Sequence, residues 1–412
     1  MRVLPSCILS LSIGVVTTSV GAQSRLTDLL QAGANTHPSV LQARSQFEAA
    51  GFEVDSAKWG RFPTITTQAL APNNRTQSLT KVEQPLWTGG RITGQIQVSE
   101  ANERAALSSV LDAQTNAMLQ VSNSFFDFLR MQSRMLVAND NVAEHQKLAD
   151  LIGRRVKSEV SPMADDVLAN ARLQQAITER IQIQKAMDTA RLTLEQWAGV
   201  SVVRLKAPKN IDFRRSPSVE DLVQKTFAFS GQRNKLLHQV DSAQYQLDVV
   251  KAQAMPSLVA GYQHIWGGLV PNSYQHNSAY VSLQFQPGAG LSALSNRNAA
   301  AMKGDAVKQE LLALERNLRN QVLTALADLD SAQTQLKPAQ TLLDGTSEVV
   351  ASYPRQYQVG RRNWVEVLNA QREKAPAAYA LIDLQVTLQQ AQLRLMLLSG
   401  VITPQEFGLI HE

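Results

Sequence analysis

Two stretches of the chain carry a carboxylate directly before Val-Leu. They are Asp166-Val167-Leu168 within EVSPMADDVLANARLQQA (159–176) and Glu366-Val367-Leu368 within VGRRNWVEVLNAQREKAP (359–376). An acid in the first turn of a helix complements the positive end of the helix dipole, and that is the plainest role for Asp165, Asp166 and Glu366. The other groups able to do chemistry are scattered. The six histidines, at 37, 145, 238, 264, 276 and 411, form no paired metal-ligand spacing, and neither a Gly-rich phosphate loop nor a nucleophile elbow occurs. The single cysteine, Cys7, lies in the N-terminal segment. The expectation is therefore a protein that is not an enzyme and has no cofactor, no metal and no thiol chemistry.

The two carboxylates are positioned by a turn followed by a helix. Ser161 is placed to cap the first helix with Pro162 at its first position, and Gly360 supplies the left-handed backbone of the second turn. Downstream of each turn runs a heptad seam: Ala169, Leu173, Ala176, Arg180, Ile183, Met187, Ala190, Leu194 and Trp197, then Ala377, Leu381, Leu384, Leu388, Ala391, Leu395 and Leu398. Upstream, Met118, Val121, Phe125, Phe128, Gln132 and Met135 keep the same rhythm. A helix from Arg91 to about Leu151 would reach roughly 90 Å at 1.5 Å per residue. Each turn is thus the far tip of a long helical hairpin. Pro338 and Pro376 fall inside these helices and are expected to kink or interrupt them.

The hairpins belong to a tandem repeat. KWGRFPTITTQA (58–69) matches KAQAMPSLVAGY (251–262), Val167-Leu168 matches Val367-Leu368, and WAGV ending at Val200 matches LSGV ending at Val401, all at nearly the same offset. The division expected is a leader, 1–22; a first unit, 23–206, with a β-hairpin at 61–87 and a helical hairpin at 91–199; a linker, 207–217; a second unit, 218–401, with a β-hairpin at 255–287 and a helical hairpin at 291–399; and a tail, 402–412. Each unit opens with a short helix (26–34; 219–229) and a longer one (38–59; 232–254).

Residues 1–22 read as a secretory leader, with Arg2, an apolar centre from Ile8 to Val16 and the small-residue pattern Val20-Gly21-Ala22. The alternative, an anchor helix, has too short an apolar run. No later stretch offers the roughly 18 apolar residues of a spanning helix, so any membrane crossing falls to strands. In SAYVSLQFQP (278–287), Ala279, Val281, Leu283 and Phe285 alternate with Ser278, Ser282, Gln284 and Gln286, and Leu258, Ala260, Tyr262 and Trp266 share one face of SLVAGYQHIW (257–266). One apolar and one neutral polar face suits lipid outside and water inside, and equally a half-buried hairpin of a soluble domain. Four strands cannot close a barrel, so spanning requires several chains. With 412 residues, 44% hydrophobic, the chain can bury a large core, and its +5 charge is too dispersed for a nucleic-acid protein.

EQPLWTGGR (83–91) and YQVGRRNWVEVLNAQ (357–371) resemble two motifs of the TolC-like outer-membrane efflux and secretion channels: the strand-to-helix motif, here Gln84, Pro85, Gly89, Gly90 and Arg91, and the second hairpin tip. The resemblance covers essentially the whole chain after the leader. It implies an α+β membrane protein, a homotrimer in which each chain gives four strands to a twelve-stranded outer-membrane β-barrel and long coiled-coil helices to a periplasmic tunnel. It also implies a gate. Glu366 and Asn369 match positions where the family forms a ring of acids, one acid being an amide here, and Arg361 or Arg362 would lock the closed state by bonds to adjacent helices. Asp165 and Asp166 mark the first tip. Val160, Ser161, Pro162 and Gly360 would lie where a periplasmic adaptor docks, with an ABC or RND transporter in the inner membrane as energy source.

EVSPMADDVLANARLQQA is most similar to channels serving type I secretion of large adhesins, the LapE-like group, which makes the exit duct for such a protein the leading expectation and the outer-membrane component of a multidrug RND pump the alternative. A third reading is a soluble periplasmic coiled-coil scaffold or adaptor; an adaptor would show one hairpin between nested segments, whereas this chain carries the same unit twice.

Overall fold

The computed structural model describes residues 25–70, 77–211, 213, 218–266, 277–286, 288–290, 292–404, 406 and 410–411. The leader, Cys7 and His276 lie outside them. The chain opens with α1 (Leu26–Thr36) and α2 (Pro38–Trp59), then β1 (Thr64–Leu70), β2 (Gln77–Trp87), α3 (Arg91–Lys157), α4 (Met163–Ala198) and β3 (Asn210–Ile211). The order recurs in α5 (Val219–Phe229), α6 (Gly231–Gln253), β4 (Ser257–Trp266), β5 (Asn277–Gln284), α7 (Ser292–Gln358), α8 (Trp364–Leu398) and β6 (Ile410–His411). At its start, Pro38 sets the first turn of α2 while the His37 ring accepts the Ser39 N–H.

Helices α3 and α7 have 67 residues each, about 100 Å at 1.5 Å per residue. They pair with α4 and α8 along the heptad seams: Ala169, Leu173, Ala176, Ile183 and Leu194 are buried on α4, and Ala377, Leu381, Ala391, Leu395 and Leu398 on α8. The principal core joins α1, α3, α4 and α8 around Phe125, Phe126, Phe128 and Met396. The segment from Leu205 to Ile211 is stitched into it. Gln132 of α3 donates to the Leu205 carbonyl and accepts the Leu205 N–H, Gln389 of α8 donates to the Pro208 carbonyl, and Ile211 of β3 is buried in the same core. β3 then pairs with β6 of the tail.

Pro338 and Pro376 do not interrupt their helices, and a third proline, Pro354, also sits inside α7. Pro338 and Pro376 are exposed, so water can satisfy the carbonyl that each leaves without an N–H four residues back.

The four-stranded sheet is antiparallel in the order β1-β2-β4-β5, which makes β1 and β5 its edges. The register aligns Ile65, Val82, Tyr262 and Ala279 in one row across the sheet, with Trp87, Leu258 and Leu283 in another. This face is solvent-exposed at apolar positions, Val281 at 67% and Leu283 at 68%. The opposite face carries Glu83, Lys81, Gln263, Ser278 and Tyr280, with the Tyr280 hydroxyl donating to Glu83 at 2.6 Å. Among the described residues no helix is long and apolar enough to cross a membrane.

The strand-to-helix motif is a built corner. The Gln84 amide donates to the carbonyls of Arg61 and Pro85, and Pro85 sits where the β2–β4 register shifts, at a bulge that tolerates its missing N–H. Gly89 and Gly90 take left-handed backbone, φ +62° and +90°, and Arg91 begins α3.

The two hairpin tips have matched backbones with different residues. Glu159 and Gly360 occupy the same left-handed position, φ 58° and 74°, and each following N–H bonds back to a carbonyl of the preceding helix. A non-glycine residue there is strained by about 1–2 kcal/mol. Glu159→Gly should therefore raise the thermal midpoint, offset in part by the entropy that glycine adds to the unfolded chain. A lower midpoint would mean that the Glu159 side chain holds the tip in another way.

Candidate functional site

The tips are where charged, aromatic and polar side chains converge. Asn363 caps α8 by accepting the Glu366 N–H at 2.9 Å, and its own amide donates back to Glu366 Oε1 at 3.2 Å. Arg362 Nη1 donates to Glu366 Oε2 at 2.9 Å, Arg362 Nε donates to Gln356 at 3.2 Å, and the guanidinium lies 4.6 Å from the Tyr353 ring centre. The hydrogen bond to Glu366 holds the Arg362 guanidinium above its ordinary pKa. Glu366 is thus a capping and ion-pairing residue within its own hairpin. Asn369 lies one turn further along α8 and is half-buried, and Arg361 is exposed.

Within the single chain Arg362 bonds to its own hairpin, back to Gln356 of α7 and forward to Glu366 of α8. The contacts between hairpins centre on Trp364 and Tyr357, neither of which the sequence singled out. Trp364, 3% exposed, donates Nε1–H to the Asp165 carbonyl at 3.2 Å and packs on Tyr357 at 5.2 Å between ring centres. The Tyr357 hydroxyl meets Ser161 Oγ at 3.2 Å, Arg155 Nε donates to the same oxygen, and the Arg155 guanidinium lies 5.0 Å from the Tyr357 ring centre. Ile152, Leu173, Val367 and Leu368 close the apolar part of this clasp.

This bears on one correction. Ser161 does not cap α4 and Pro162 is not its first helical residue: Pro162 is the N-cap, α4 starts at Met163, and no side chain caps it. The Ser161 hydroxyl is engaged across the hairpins instead, and Asp165 and Asp166 in the first turn supply the negative charge that the helix end favours. The Val-Leu echo diverges for the same reason. Val367 is buried in the clasp, whereas Val167 is 60% exposed. At the extreme end Val160, Met163 and Val359 are exposed, beside Pro162 and Gly360.

Above the clasp a second set of polar groups joins the hairpins. Gln371 of α8 donates to Asn141 of α3 at 3.3 Å, both buried. Next to them His145 is 4% exposed and its Nδ1 has no partner. Burial, and secondly the nearby Arg172 charge, push its imidazole below the ordinary pKa. Higher still, Arg134 and Arg130 of α3 pair with Asp383 of α8. Of the other histidines described, His37 stacks on Trp197, His238 lies 3.8 Å from Asp241, and His264 contacts Asn277 and the Trp266 edge. Among the described residues no His, Cys, Asp and Glu group could hold a metal ion.

A lipid-compatible strand face, two open sheet edges and 67-residue rods define a subunit of an outer-membrane duct with a helical tunnel beneath its barrel. The chain belongs to the outer membrane efflux protein family, whose model matches residues 29–200 and 234–401. It is 25% identical over 348 residues to the cobalt-zinc-cadmium resistance protein CzcC of Cupriavidus metallidurans, covering 81% of each chain. Its fold is that of the outer-membrane channel OprN, at TM-score 0.80 and 17% identity over 91% of this chain and 89% of that one. The same holds for the Campylobacter jejuni outer-membrane channel CmeC, at TM-score 0.79 and 12% identity over 93% and 87%. The TolC-like resemblance and the expected fold class are thereby established, as is an outer-membrane location with a periplasmic helical tunnel. Members of the family are trimeric channels that work with adaptors and inner-membrane transporters.

Proposed function

We propose that the chain is the passive outer-membrane exit duct of a tripartite exporter, assembled as a homotrimer and gated at the hairpin tips. The observation that carries this is the open sheet. β1 and β5 each leave an unpaired edge beside a lipid-facing apolar surface, an arrangement that hydrocarbon forbids unless neighbouring copies pair both edges, and three copies give the twelve strands of a closed barrel. In this reading Glu366, Asn369, Arg361 and Arg362 line the aperture. Val160, Ser161, Pro162 and Gly360 face the adaptor, for which the exposed Val160, Met163 and Val359 offer apolar contact. The units 23–206 and 218–401, joined through 207–217, act as the two rods of one stave.

In planar bilayers the detergent-purified protein should give small, cation-preferring conductance that grows several-fold in Arg362→Ala/Glu366→Ala. A water-soluble monomer with no conductance would leave the scaffold reading instead.

For cargo, the likeness to CzcC, a cobalt-zinc-cadmium resistance protein, supports export of those cations, the duct then serving the RND pump of the alternative expectation. The likeness of the first tip to the LapE-like channels supports type I secretion through an ABC transporter. Deleting the gene separates them: a several-fold drop in tolerance to zinc, cobalt and cadmium with unchanged secreted proteins supports cation efflux, whereas loss of a large surface adhesin with unchanged tolerance supports secretion.

A further inference from the structure

Between α3, α4 and α8 lies a groove of about 660 Å³, lined by Asn141 and His145 of α3, Arg172 and Glu179 of α4 and Arg372 and Pro376 of α8. Three features set it apart. Arg172 and Arg372 enter from different helices, and among the described residues neither has an acidic partner within ion-pair distance. His145 is buried against the groove with Nδ1 unsatisfied, a condition that native interiors relieve with water, an ion or a ligand. The two guanidiniums outweigh the one carboxylate, Glu179.

We propose that this groove is a binding site for a small oxyanion, a carboxylate or phosphate group held between Arg172 and Arg372 with His145 donating to it. Guanidinium forks match the paired oxygens of either group. A volume of several hundred Å³ admits an organic anion rather than a lone halide. The remaining charged groups fit the scheme. From α4 the site is faced by Arg172 and Glu179 and from α8 by Arg372, while Glu144 and Lys147, beside His145 on α3, pair with each other at 2.7 Å. A neutral His145 can donate one proton, and a protonated one adds charge. Bound anion and imidazolium therefore favour one another, so an anion of fixed charge binds more tightly once His145 is protonated. Occupied, the site adds a polar tie between α4 and α8, which otherwise meet there through the apolar cluster of Ile183, Ala375 and Tyr379.

The test uses the full-length assembly in detergent with ¹⁵N-labelled histidine, the His145 signal being assigned by its loss in His145→Gln. Sodium citrate and inorganic phosphate are titrated separately at constant ionic strength, with sodium chloride as the balance, to roughly 10 mM, ten times a millimolar dissociation constant. The expected result is a saturable shift of the His145 signal, weakened roughly tenfold or more in Arg172→Gln/Arg372→Gln. Response to citrate alone assigns a carboxylate ligand, to phosphate alone a phosphate, and to both an unselective oxyanion site. An unmoved His145 signal with both salts overturns the proposal, as does an equal response in the double variant. Thermal midpoints do not substitute, because both salts stabilise folded proteins generally. If the double variant fails to assemble, comparison of citrate with chloride on the natural protein still decides.

Discussion

Trp364→Ala should loosen both hairpin tips at once and raise single-channel conductance more than any change at Glu366. The indole is almost fully buried, packs on Tyr357 and donates to the Asp165 carbonyl, so truncation removes a large apolar contact and the most direct bond between α8 and α4. A buried Trp→Ala change costs about 3–5 kcal/mol. The helices remain anchored at the phenylalanine core far above, so the loss falls locally, as faster amide exchange at the last turns of α3 and α7. Trp364→Phe separates the two contributions. It keeps the ring packing, leaves one carbonyl without its donor and should cost about 1 kcal/mol. Unchanged tip exchange in Trp364→Ala would mean that the clasp does not hold the tips.

Gly261→Val should prevent assembly. A Cβ at Gly261 would lie 2.3 Å from Tyr280 Cζ and 2.6 Å from its hydroxyl, because the tyrosine ring lies across the glycine to reach Glu83 on the next strand but one. Overpacking costs typically 1–3 kcal/mol per site, and here the ring must also abandon its bond to Glu83. The penalty recurs in every copy that contributes to the barrel. The readout is the oligomer in detergent on a native gel, which should vanish in Gly261→Val and return in Gly261→Val/Tyr280→Ala, where the obstructing ring is gone. Normal assembly of the single variant would mean that the Tyr280 ring can turn aside at no cost.

Much of this architecture is legible in the sequence because it rests on periodicity. The alternation through Ala279, Val281 and Leu283 gives the exposed apolar face, and α2 and α5 span the residues expected of them. The heptad from Ala377 to Leu398 is the buried seam of α8. The motif at 83–91 turns as its glycines require. What could not be read depends on contacts between distant segments. Ser161 has the form of a helix cap, and only the arrival of Tyr357, nearly two hundred residues away, explains why its hydroxyl points elsewhere. Trp364 stands in the sequence only as one letter of the tip motif, and His145 as one of six scattered histidines. The signal for Trp364 was present, an aromatic at the first helical position beside a residue capable of capping, but its partner is a backbone carbonyl, which leaves no trace in sequence.

The short pairing of β3 with β6, and the glutamines that fasten the segment from Leu205 to Ile211 to α3 and α8, give the rods a fulcrum. Gln389 is fastened to Pro208 at this level, and the length of α8 from there to Trp364 is about 38 Å at 1.5 Å per residue. A rigid rod of that length swinging by about 10° moves its end by roughly 7 Å at this rise per residue. Movement too small to disturb packing at the belt is thus amplified at the tips. The chain needs no break within α8 to change the width of its lower end, since the helix runs on through Pro376.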